Sequence, residues 1–182
     1  MTEVILKREG PSKKYKIEKK LNSVSYIARE KSNDALFQIK SITKKELDQN
    51  ENRREMFINE LSVHANVNSK YITKFIEAYE HGKTFFVISE LIGVDGYLEG
   101  VLNSGKELSP EFCRYTLFCV ANAVKALHDK NLVNRSITPD TIACSMNGDI
   151  KIFDLSYARQ LSDDALITYQ GCEARRSSEV VQ

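Results

Sequence analysis

The residues best suited to chemistry lie between positions 128 and 156. A polar loop at 134–136 precedes a carboxylate at Asp154, and carboxylate oxygens are ligands that hard cations such as Mg²⁺ prefer. Helical periodicity ends at the start of this stretch, and the Asn-Gly pair at 147–148 predicts a tight turn between two short strands. A helix, a loop and a hairpin in this order can bring the loop and Asp154 together. Many α+β domains contain such a unit, so the pattern alone assigns no activity.

The first half of the chain predicts the elements of a sheet with a helix. Residues 15–42 should form three strands with a turn at 32–34. Residues 44–66 should be mostly helical, because apolar side chains recur there at helical spacing. Residues 71–79 and 84–91 should form a hairpin. These elements would lie upstream of the polar loop and support it.

A second helix should lead directly into the polar loop. Ser109 is a good N-cap, and Pro110 suits the first helical position because its missing N–H is not needed there. Helical spacing then predicts one apolar stripe facing a core. Its members are Cys113, Leu117, Val120, Val124 and Leu127.

Composition and charge exclude several classes of protein. Of 182 residues, 42% are hydrophobic and 28% are charged, which is ordinary for a soluble globular chain. The net charge of +1 predicts no nucleic-acid partner, and no apolar run approaches the length that spans a membrane. The four cysteines lack metal-ligand spacing, so buried thiols in a reducing compartment are favoured over disulfides or zinc. We therefore expect a cytoplasmic protein without a membrane or nucleic-acid partner.

The order of the motifs resembles that of a protein kinase. Kinases carry a histidine-arginine-aspartate triplet, a lysine and an asparagine shortly after it, and a later aspartate-phenylalanine-glycine triplet. The matching positions hold, in order, Asn134, Arg135, Ser136, Thr138, Thr141, Asp154, Leu155 and Ser156. The layout of the catalytic loop, hairpin and magnesium loop is therefore kept, while most of its chemical groups differ.

The resemblance continues on both sides of this stretch. Lys40 resembles the lysine of the third kinase strand, and Glu60 resembles the glutamate of helix C. Residues 85–92 resemble the strand that leads into the hinge, with Ser89 at the gatekeeper position. Residues 171–181 resemble the end of an activation segment. A fainter similarity points to the Ste20/PAK group of serine/threonine kinases.

The resemblance implies a fold and a division into domains. We expect an α+β, protein-kinase-like fold whose N-lobe combines a five-stranded antiparallel sheet with helix C. The N-lobe should cover residues 15–92, preceded by a loose leader over residues 1–14. Residues 93–182 should form a partial, mainly helical C-lobe, because the match stops before the helices that complete a kinase domain.

The altered positions argue against phosphoryl transfer. Kinases use the loop aspartate to accept a proton, but Ser136 stands there and carries no charge at neutral pH. Thr138 cannot supply the positive charge of the family's lysine, and Thr141 replaces the asparagine that binds a second metal ion. Asp154 remains as a ligand for one Mg²⁺. The stretch 20–28 contains no glycine, so we expect a tight strand connection instead of a phosphate clasp.

Several positions of a nucleotide site are nevertheless retained. The resemblance implies nucleotide contacts at Lys40, Glu60, Ser89, Glu90, Ile92 and Asp154. For an ion pair between Lys40 and Glu60, a structural role that holds helix C to the sheet is favoured over a nucleotide role. ATP and Mg²⁺ are thus the cofactors that the resemblance implies, while the altered residues argue against both. Arg135 and Thr168 match a regulatory pair, in which the arginine binds a phosphate on the activation loop.

The sequence therefore predicts a pseudokinase that acts as a binding or regulatory module of a signalling pathway, with a protein partner. Two other interpretations stay open. One is a divergent serine/threonine kinase that transfers the γ-phosphate of ATP to protein. The other is a fragment without independent function.

Overall fold

The structure, a computed structural model, describes residues 4–92, 97–145 and 147–161. These residues form two compact units. The first unit comprises the residues up to Ala65 together with Thr73–Leu91, and the second comprises Asn66–Ile72 and the residues from Ile92 onward. The predicted lobe boundary lies one residue further along the chain, between residues 92 and 93.

A six-stranded sheet organises the first unit. Its strands are β1 Leu6–Lys7, β2 Tyr15–Lys20, β3 Ser25–Glu30, β4 Leu36–Thr43, β5 Phe75–His81 and β6 Thr84–Glu90. They lie in the order β1-β5-β6-β4-β3-β2, and every neighbouring pair is antiparallel except β1 with β5. The predicted five-stranded antiparallel sheet is confirmed as β2 to β6. The parallel strand β1 is an addition that the sequence pattern did not predict.

Two helices cross this sheet where one was predicted. Helix α1 covers Lys44–Asp48 and begins with a capping box in which Thr43 and Glu46 satisfy each other's backbone N–H groups. Helix α2 covers Glu51–Asn66. The helix is interrupted between them because the Asn50 side chain accepts the Asn52 N–H at 2.9 Å, which caps the start of α2.

The core of the first unit occupies both faces of the sheet. Neighbouring strand residues point to opposite faces, so Ala78 and Tyr79 of β5 belong to different clusters. On the helix side, Ala78 packs with Leu47, Phe57 and Leu61. The other face is covered by a second cluster, which contains Tyr15, Ala28, Ile39, Tyr79 and Ile88. Helix α2 is thus fixed to the sheet by apolar burial, which sets the position of every residue it carries.

The loose leader predicted for residues 1–14 is wrong over its described part. Residues 6–7 form β1, and a 3₁₀ helix covers Pro11–Lys13. Gly10 and Pro11 are buried, and Lys7 forms an ion pair with Glu77 of β5. The segment is ordered because a sheet edge and two acidic side chains provide it with partners.

The second unit contains helices and short hairpins. Its elements are α3 Leu98–Asn103, α4 Pro110–His128, β7 Leu132–Val133, a 3₁₀ helix Pro139–Thr141, β8 Ile142–Cys144, β9 Ile150–Ile152 and β10 Arg159–Gln160. Strands β8 and β9 form the predicted hairpin, and Gly148 at its turn has φ +87°. Strands β7 and β10 pair antiparallel. The hairpin leads into Asp154, as the residue pattern predicts.

Helix α4 begins as predicted but buries a different face. The Ser109 hydroxyl accepts the Phe112 N–H at 3.2 Å, so the predicted cap is correct. The buried residues are Thr116, Cys119, Ala123 and Leu127. The predicted stripe is correct only in its second half: Leu127 is buried and Val120 and Val124 are partly buried, whereas Cys113 is exposed and Leu117 is 69% exposed. Small side chains allow close packing on the buried face, and the larger apolar residues that dominate the periodicity point elsewhere.

The described cysteines are all free thiols, and Cys119 and Cys144 are buried as predicted, whereas Cys113 is exposed. Within the residues that the structure describes, no helix has both the length and the apolar character to cross a membrane.

Candidate functional site

The retained residues of the first unit meet between strand β4 and helix α2. The ammonium group of Lys40 lies 3.1 Å from Glu60 Oε1 and 3.0 Å from Oε2, so it donates to both oxygens. The Glu60 side chain is only 15% exposed. Removing one partner would leave a partly buried charge unpaired, so the pair holds α2 at a fixed height along the sheet.

The turn between β2 and β3 uses its own backbone donors. The Asn22 side chain accepts the N–H groups of Val24 at 3.0 Å and Ser25 at 2.9 Å. The Leu21 N–H and the Asn22 N–H both donate to the Ser25 carbonyl, at 2.8 and 3.3 Å. A phosphate-binding turn presents free N–H groups to its ligand. These four donors are already satisfied, so the turn is built as a strand connection.

The strand that precedes the unit boundary carries Ser89 and Glu90. Ser89 lies opposite Gln38 of β4 in the sheet register, and Gln38 shares a face with Lys40 two residues on. The backbone N–H of Glu90 donates to the Lys74 carbonyl at 2.9 Å, and its carboxylate accepts the Lys74 N–H at 3.1 Å. This doubled link ties β6 to the start of β5. Ile92, assigned to the second unit, is buried.

The polar loop of the second unit is folded back on itself. Asn134 is buried, and its Oδ1 accepts the Ser136 N–H at 2.9 Å. Its Nδ2 is buried without a hydrogen-bond partner in the described part of the chain. Arg135 has φ +65°, a conformation that costs a non-glycine residue free energy, and its Nε donates to the Tyr157 carbonyl at 2.9 Å. The loop thus adopts a strained shape that its own hydrogen bonds maintain.

Thr138 and Thr141 lie in the same loop, where the Thr141 hydroxyl is already engaged. Both residues are buried. The Thr141 hydroxyl accepts the Thr138 N–H at 3.1 Å and donates to the Thr138 carbonyl at 2.8 Å. It therefore caps the short 3₁₀ helix that it ends. A hydroxyl in this arrangement has little free capacity for a cation.

Asp154 is likewise engaged by a neighbour. Its Oδ1 accepts two hydrogen bonds from Ser156, one from the backbone N–H at 2.9 Å and one from the hydroxyl at 2.6 Å. A hydrogen bond to a carboxylate at this distance is charge-assisted and strong. Since a magnesium ion needs those same oxygen lone pairs, Ser156 competes with a cation for Asp154.

The described donor set does not fit a magnesium–nucleotide centre with two protein ligands. Thr141 is neutral and internally bonded, and one oxygen of Asp154 is occupied by Ser156. Across residues 4–92, 97–145 and 147–161, no three His, Cys, Asp or Glu side chains are grouped to hold a metal ion.

Arg135 of the polar loop and Arg159 after the magnesium-loop position are close enough for their charges to interact. Burial lowers the pKa of the Arg135 guanidinium, and the charge of Arg159 lowers it further. Arg159 donates to the carbonyls of Ser156 at 3.3 Å and Ala158 at 3.0 Å. This proximity of two cations would favour an anionic group. Thr168, its predicted partner, lies outside the described residues, as does the stretch 171–181.

An aromatic stack in the second unit was missed by sequence reasoning. The rings of Tyr97 and Phe153 stack with centroids 4.8 Å apart, and Tyr97 also forms a β-bridge with Ala143. The small side chain at position 143 was the available signal, because it leaves room that a neighbouring aromatic residue can fill. Tyr97 precedes α3 without periodicity of its own, so no pattern marked it.

Comparison with known proteins decides the family. The sequence profile described as the protein kinase domain matches residues 20–182, which is most of the chain. The chain belongs to the protein kinase family. The kinase resemblance of its motifs and the kinase-like fold are therefore confirmed.

Individual kinases cover parts of the chain at modest identity. The chain is 29% identical over 133 residues to an Aurora kinase of Schizosaccharomyces pombe, covering 73% of this chain and 37% of that kinase. It is 31% identical over 114 residues to the serine/threonine-protein kinase ste20 of Emericella nidulans, covering 61% of this chain and 13% of that kinase. A probable serine/threonine-protein kinase, fhkC of Dictyostelium discoideum, is 24% identical over 87% of this chain and 27% of its own length. The chain therefore spans well under half of these relatives.

Family membership shows which roles the corresponding residues have in other kinases. In protein kinases a Lys–Glu ion pair and a metal-bound aspartate must both be in place, and a loop aspartate accepts the substrate proton. This kinase-family chain keeps the ion pair and one carboxylate. At the positions that the motif order matches to the proton acceptor and the second metal ligand, it carries Ser136 and the self-bonded hydroxyl of Thr141.

Proposed function

We propose that this protein is a pseudokinase, a kinase-family chain that does not transfer phosphate and acts as a binding or regulatory module in signalling. The observation that carries the proposal is the internal bonding of the catalytic positions. The hydroxyl of Thr141 and one oxygen of Asp154 are engaged by Thr138 and Ser156, within their own loops. Groups bonded in this way serve the fold and have little free capacity for a substrate.

The chemistry at position 136 supports the same conclusion. A general base must accept a proton near neutral pH, and such a residue contributes a factor of about 10² to 10⁴ in rate. A serine hydroxyl is too weak an acid to be ionised near neutral pH, so Ser136 offers no anionic oxygen to accept the proton. It also has no charge with which to orient a substrate hydroxyl. Position 136 therefore lacks a side chain that accepts the substrate proton near neutral pH.

The ion pair between Lys40 and Glu60 has a structural role in this proposal. Both of its partners are held by packed elements, since β4 lies inside the sheet and α2 is fixed by Phe57 and Leu61. The pair therefore keeps a kinase-like first unit in one shape, which a binding module requires. A protein partner in the cytoplasm is part of this proposal.

A divergent serine/threonine kinase is the second candidate function. It is favoured by the bidentate Lys40–Glu60 geometry and by the retention of Asp154. In this alternative Arg135 and Arg159 would hold a phosphate placed on Thr168, which would switch the activity on. The two functions differ in whether the chain uses ATP, so nucleotide experiments separate them.

Thermal unfolding with magnesium-ATP is the decisive measurement. For the pseudokinase we expect no magnesium-dependent rise in Tm at millimolar nucleotide, for the wild-type chain and for Lys40→Ala alike. The matched control is Lys16→Ala, which removes an exposed lysine from β2. A magnesium-dependent rise in Tm that Lys40→Ala and Asp154→Ala abolish, but Lys16→Ala keeps, would establish nucleotide binding. Transfer of radiolabelled phosphate to a generic protein substrate would then establish the kinase alternative.

A further inference from the structure

The segment of residues 4–14 lies before the stretch that matches the kinase domain, and it is joined to the sheet as a separate strand. The matched stretch begins at residue 20, whereas β1 consists of Leu6–Lys7. Leu6 lies opposite Ala78 and Lys7 lies opposite Tyr79 in a parallel pairing with β5. In the described sheet β5 would be an edge strand without β1, and an edge presents backbone groups to which another strand can pair.

Apolar side chains of the segment line a groove beside this edge and pack against the neighbouring core. Val4 and Leu6 are partly buried, whereas Ile5 between them is 86% exposed, which is the alternation of a strand on a surface. The groove measures about 390 Å³. Its remaining lining comes mainly from α1, α2 and β6, and includes Leu47, Phe57, Ile58, Leu61 and Phe85. The side chains at two alternate apolar positions, Val4 and Leu6, therefore contact one groove.

Basic side chains of the segment meet acidic ones on β5. Lys7 pairs with Glu77, and Arg8 pairs with Glu80. Lys44 also donates to Glu80, at 2.6 Å. The carboxylates lie on β5 and the paired cations lie on the segment, so these ion pairs favour one register of the pairing.

Glu77 is prepared for cationic partners by its surroundings. Its carboxylate accepts hydrogen bonds from Lys7, from Lys14 at 3.0 Å, and from the hydroxyls of Tyr15 at 2.5 Å and Tyr79 at 2.9 Å. Burial alone would raise the pKa of this carboxyl, but the hydrogen bonds outweigh burial and lower the pKa to about 2. The carboxylate therefore keeps its charge throughout the physiological range.

The strand pairing of the segment is short, and its charged contacts are partly exposed. Only two residue pairs join β1 to β5, and the Lys7 and Arg8 side chains are 45% and 79% exposed. Exposed ion pairs contribute at most about 1 kcal/mol each. These contacts define which residues of the segment and of β5 lie opposite each other, but the charged ones contribute little free energy. Such a combination is compatible with the replacement of the segment by another strand.

We propose that the β5 edge and its adjoining groove form a strand-accepting site, which residues 4–8 occupy within the same chain. The partner that fits it is an extended peptide with apolar residues at two alternate positions, followed directly by two basic residues. It would pair parallel to β5, place its apolar side chains in the groove, and set its basic side chains on Glu77 and Glu80. This mode of recognition adds a strand to an exposed sheet edge. It is independent of the catalytic positions and of the proposed loss of phosphoryl transfer.

The test uses the full chain and a labelled peptide with the sequence of residues 3–9, followed by fluorescence anisotropy. The variant Arg8→Glu weakens the resident segment without touching its apolar contacts, and Leu6→Ser weakens it further. We expect the peptide to bind these variants about tenfold more tightly than the wild-type chain, whose own segment competes. Circular dichroism checks that each variant stays folded.

A charge exchange tests the register. A peptide carrying Arg8→Glu should bind the chain variant Arg8→Glu about tenfold more weakly than the natural peptide does. The further change Glu80→Lys in that chain should reverse the preference, because the peptide's glutamate then meets a lysine. The matched control is Glu18→Lys, an acidic residue on β2 at the opposite side of the sheet. Failure of folded Arg8→Glu chain to bind the natural peptide, or indifference to the charge exchange, would overturn the proposal.

Discussion

Single hydrogen bonds decide the state of the retained carboxylate. The Ser156 hydroxyl lies 2.6 Å from Asp154 Oδ1, on a residue that replaces the family's glycine and therefore adds a donor that glycine lacks. The Thr141 hydroxyl, at the position that the motif order matches to a second metal ligand, already has a partner at 2.8 Å. At this scale the chain keeps the Lys40–Glu60 pair and Asp154, while the Thr141 hydroxyl and one Asp154 oxygen are bonded within their own loops.

Removing the Ser156 hydroxyl should free one lone pair of Asp154. For Ser156→Ala we expect a severalfold gain in Mn²⁺ affinity over wild type, measured by titration with electron paramagnetic resonance, because the cation no longer competes with a charge-assisted hydrogen bond. Ser156→Ala combined with Asp154→Asn should lose the gain. An unchanged Mn²⁺ affinity in Ser156→Ala would show that the hydroxyl does not restrict Asp154.

The Lys40–Glu60 pair should contribute to stability irrespective of nucleotide. Lys40→Ala leaves the Glu60 carboxylate partly buried without its cation, so we expect a loss of about 1 to 2 kcal/mol in the free energy of unfolding. Lys40→Ala with Glu60→Gln should recover part of that loss. Urea denaturation followed by circular dichroism measures both, and an unchanged midpoint for Lys40→Ala would contradict a structural role.

At the scale of elements, the link between β1 and β5 should give the first unit a defined response to acid. The pKa of Glu77 is about 2 in the folded chain, below its ordinary value of 4.5. A lowered folded pKa stabilises above the unfolded value, and this stability is lost as pH falls through the folded value. We therefore expect the wild-type chain to lose stability between pH 4.5 and 2, and Glu77→Gln to lose less there. Thermal unfolding across this range checks it, with equal slopes in both chains as the contrary result.

Helix α4 offers a direct test of which face carries its packing. Leu127 is fully buried, and Leu117 is 69% exposed. Leu127→Ala should cost about 2 to 5 kcal/mol of unfolding free energy, while Leu117→Ala should stay within about 0.5 kcal/mol. Chemical denaturation of the two variants makes the comparison. Equal losses, or a larger loss for Leu117→Ala, would restore the stripe that periodicity alone predicted.

At the scale of the whole molecule, the sequence predicted the main strands and helices and their order. It did not predict which face of a helix is buried or which rotamer a side chain adopts. The five antiparallel strands, the helix that carries Glu60 and the hairpin before Asp154 follow from apolar patterns, turn residues and motif order. The face of α4 depends on how small residues such as Ala123 pack, which periodicity does not encode. Strand β1 is too short for any periodic signal, and its order depends on Glu77 and Glu80, about 70 residues away. The Ser156–Asp154 bond depends on a side-chain rotation that only the folded loop selects.

The proposed loss of catalysis involves positions spread over the chain, so we expect that restoring one of them does not give activity. Ser136→Asp returns a proton acceptor, but the turn after β2 still consumes its own N–H donors and Thr141 still bonds to Thr138. Catalytic groups that act as a unit are strongly non-additive. We therefore expect no phosphoryl transfer from Ser136→Asp, and none from Ser136→Asp, Thr141→Asn and Ser156→Gly combined, because those N–H groups of the turn are still unavailable to the phosphates. A radiolabel assay on both variants makes the measurement. Transfer by the triple variant would show that the phosphate clasp is dispensable and that the loss lies in the second unit alone.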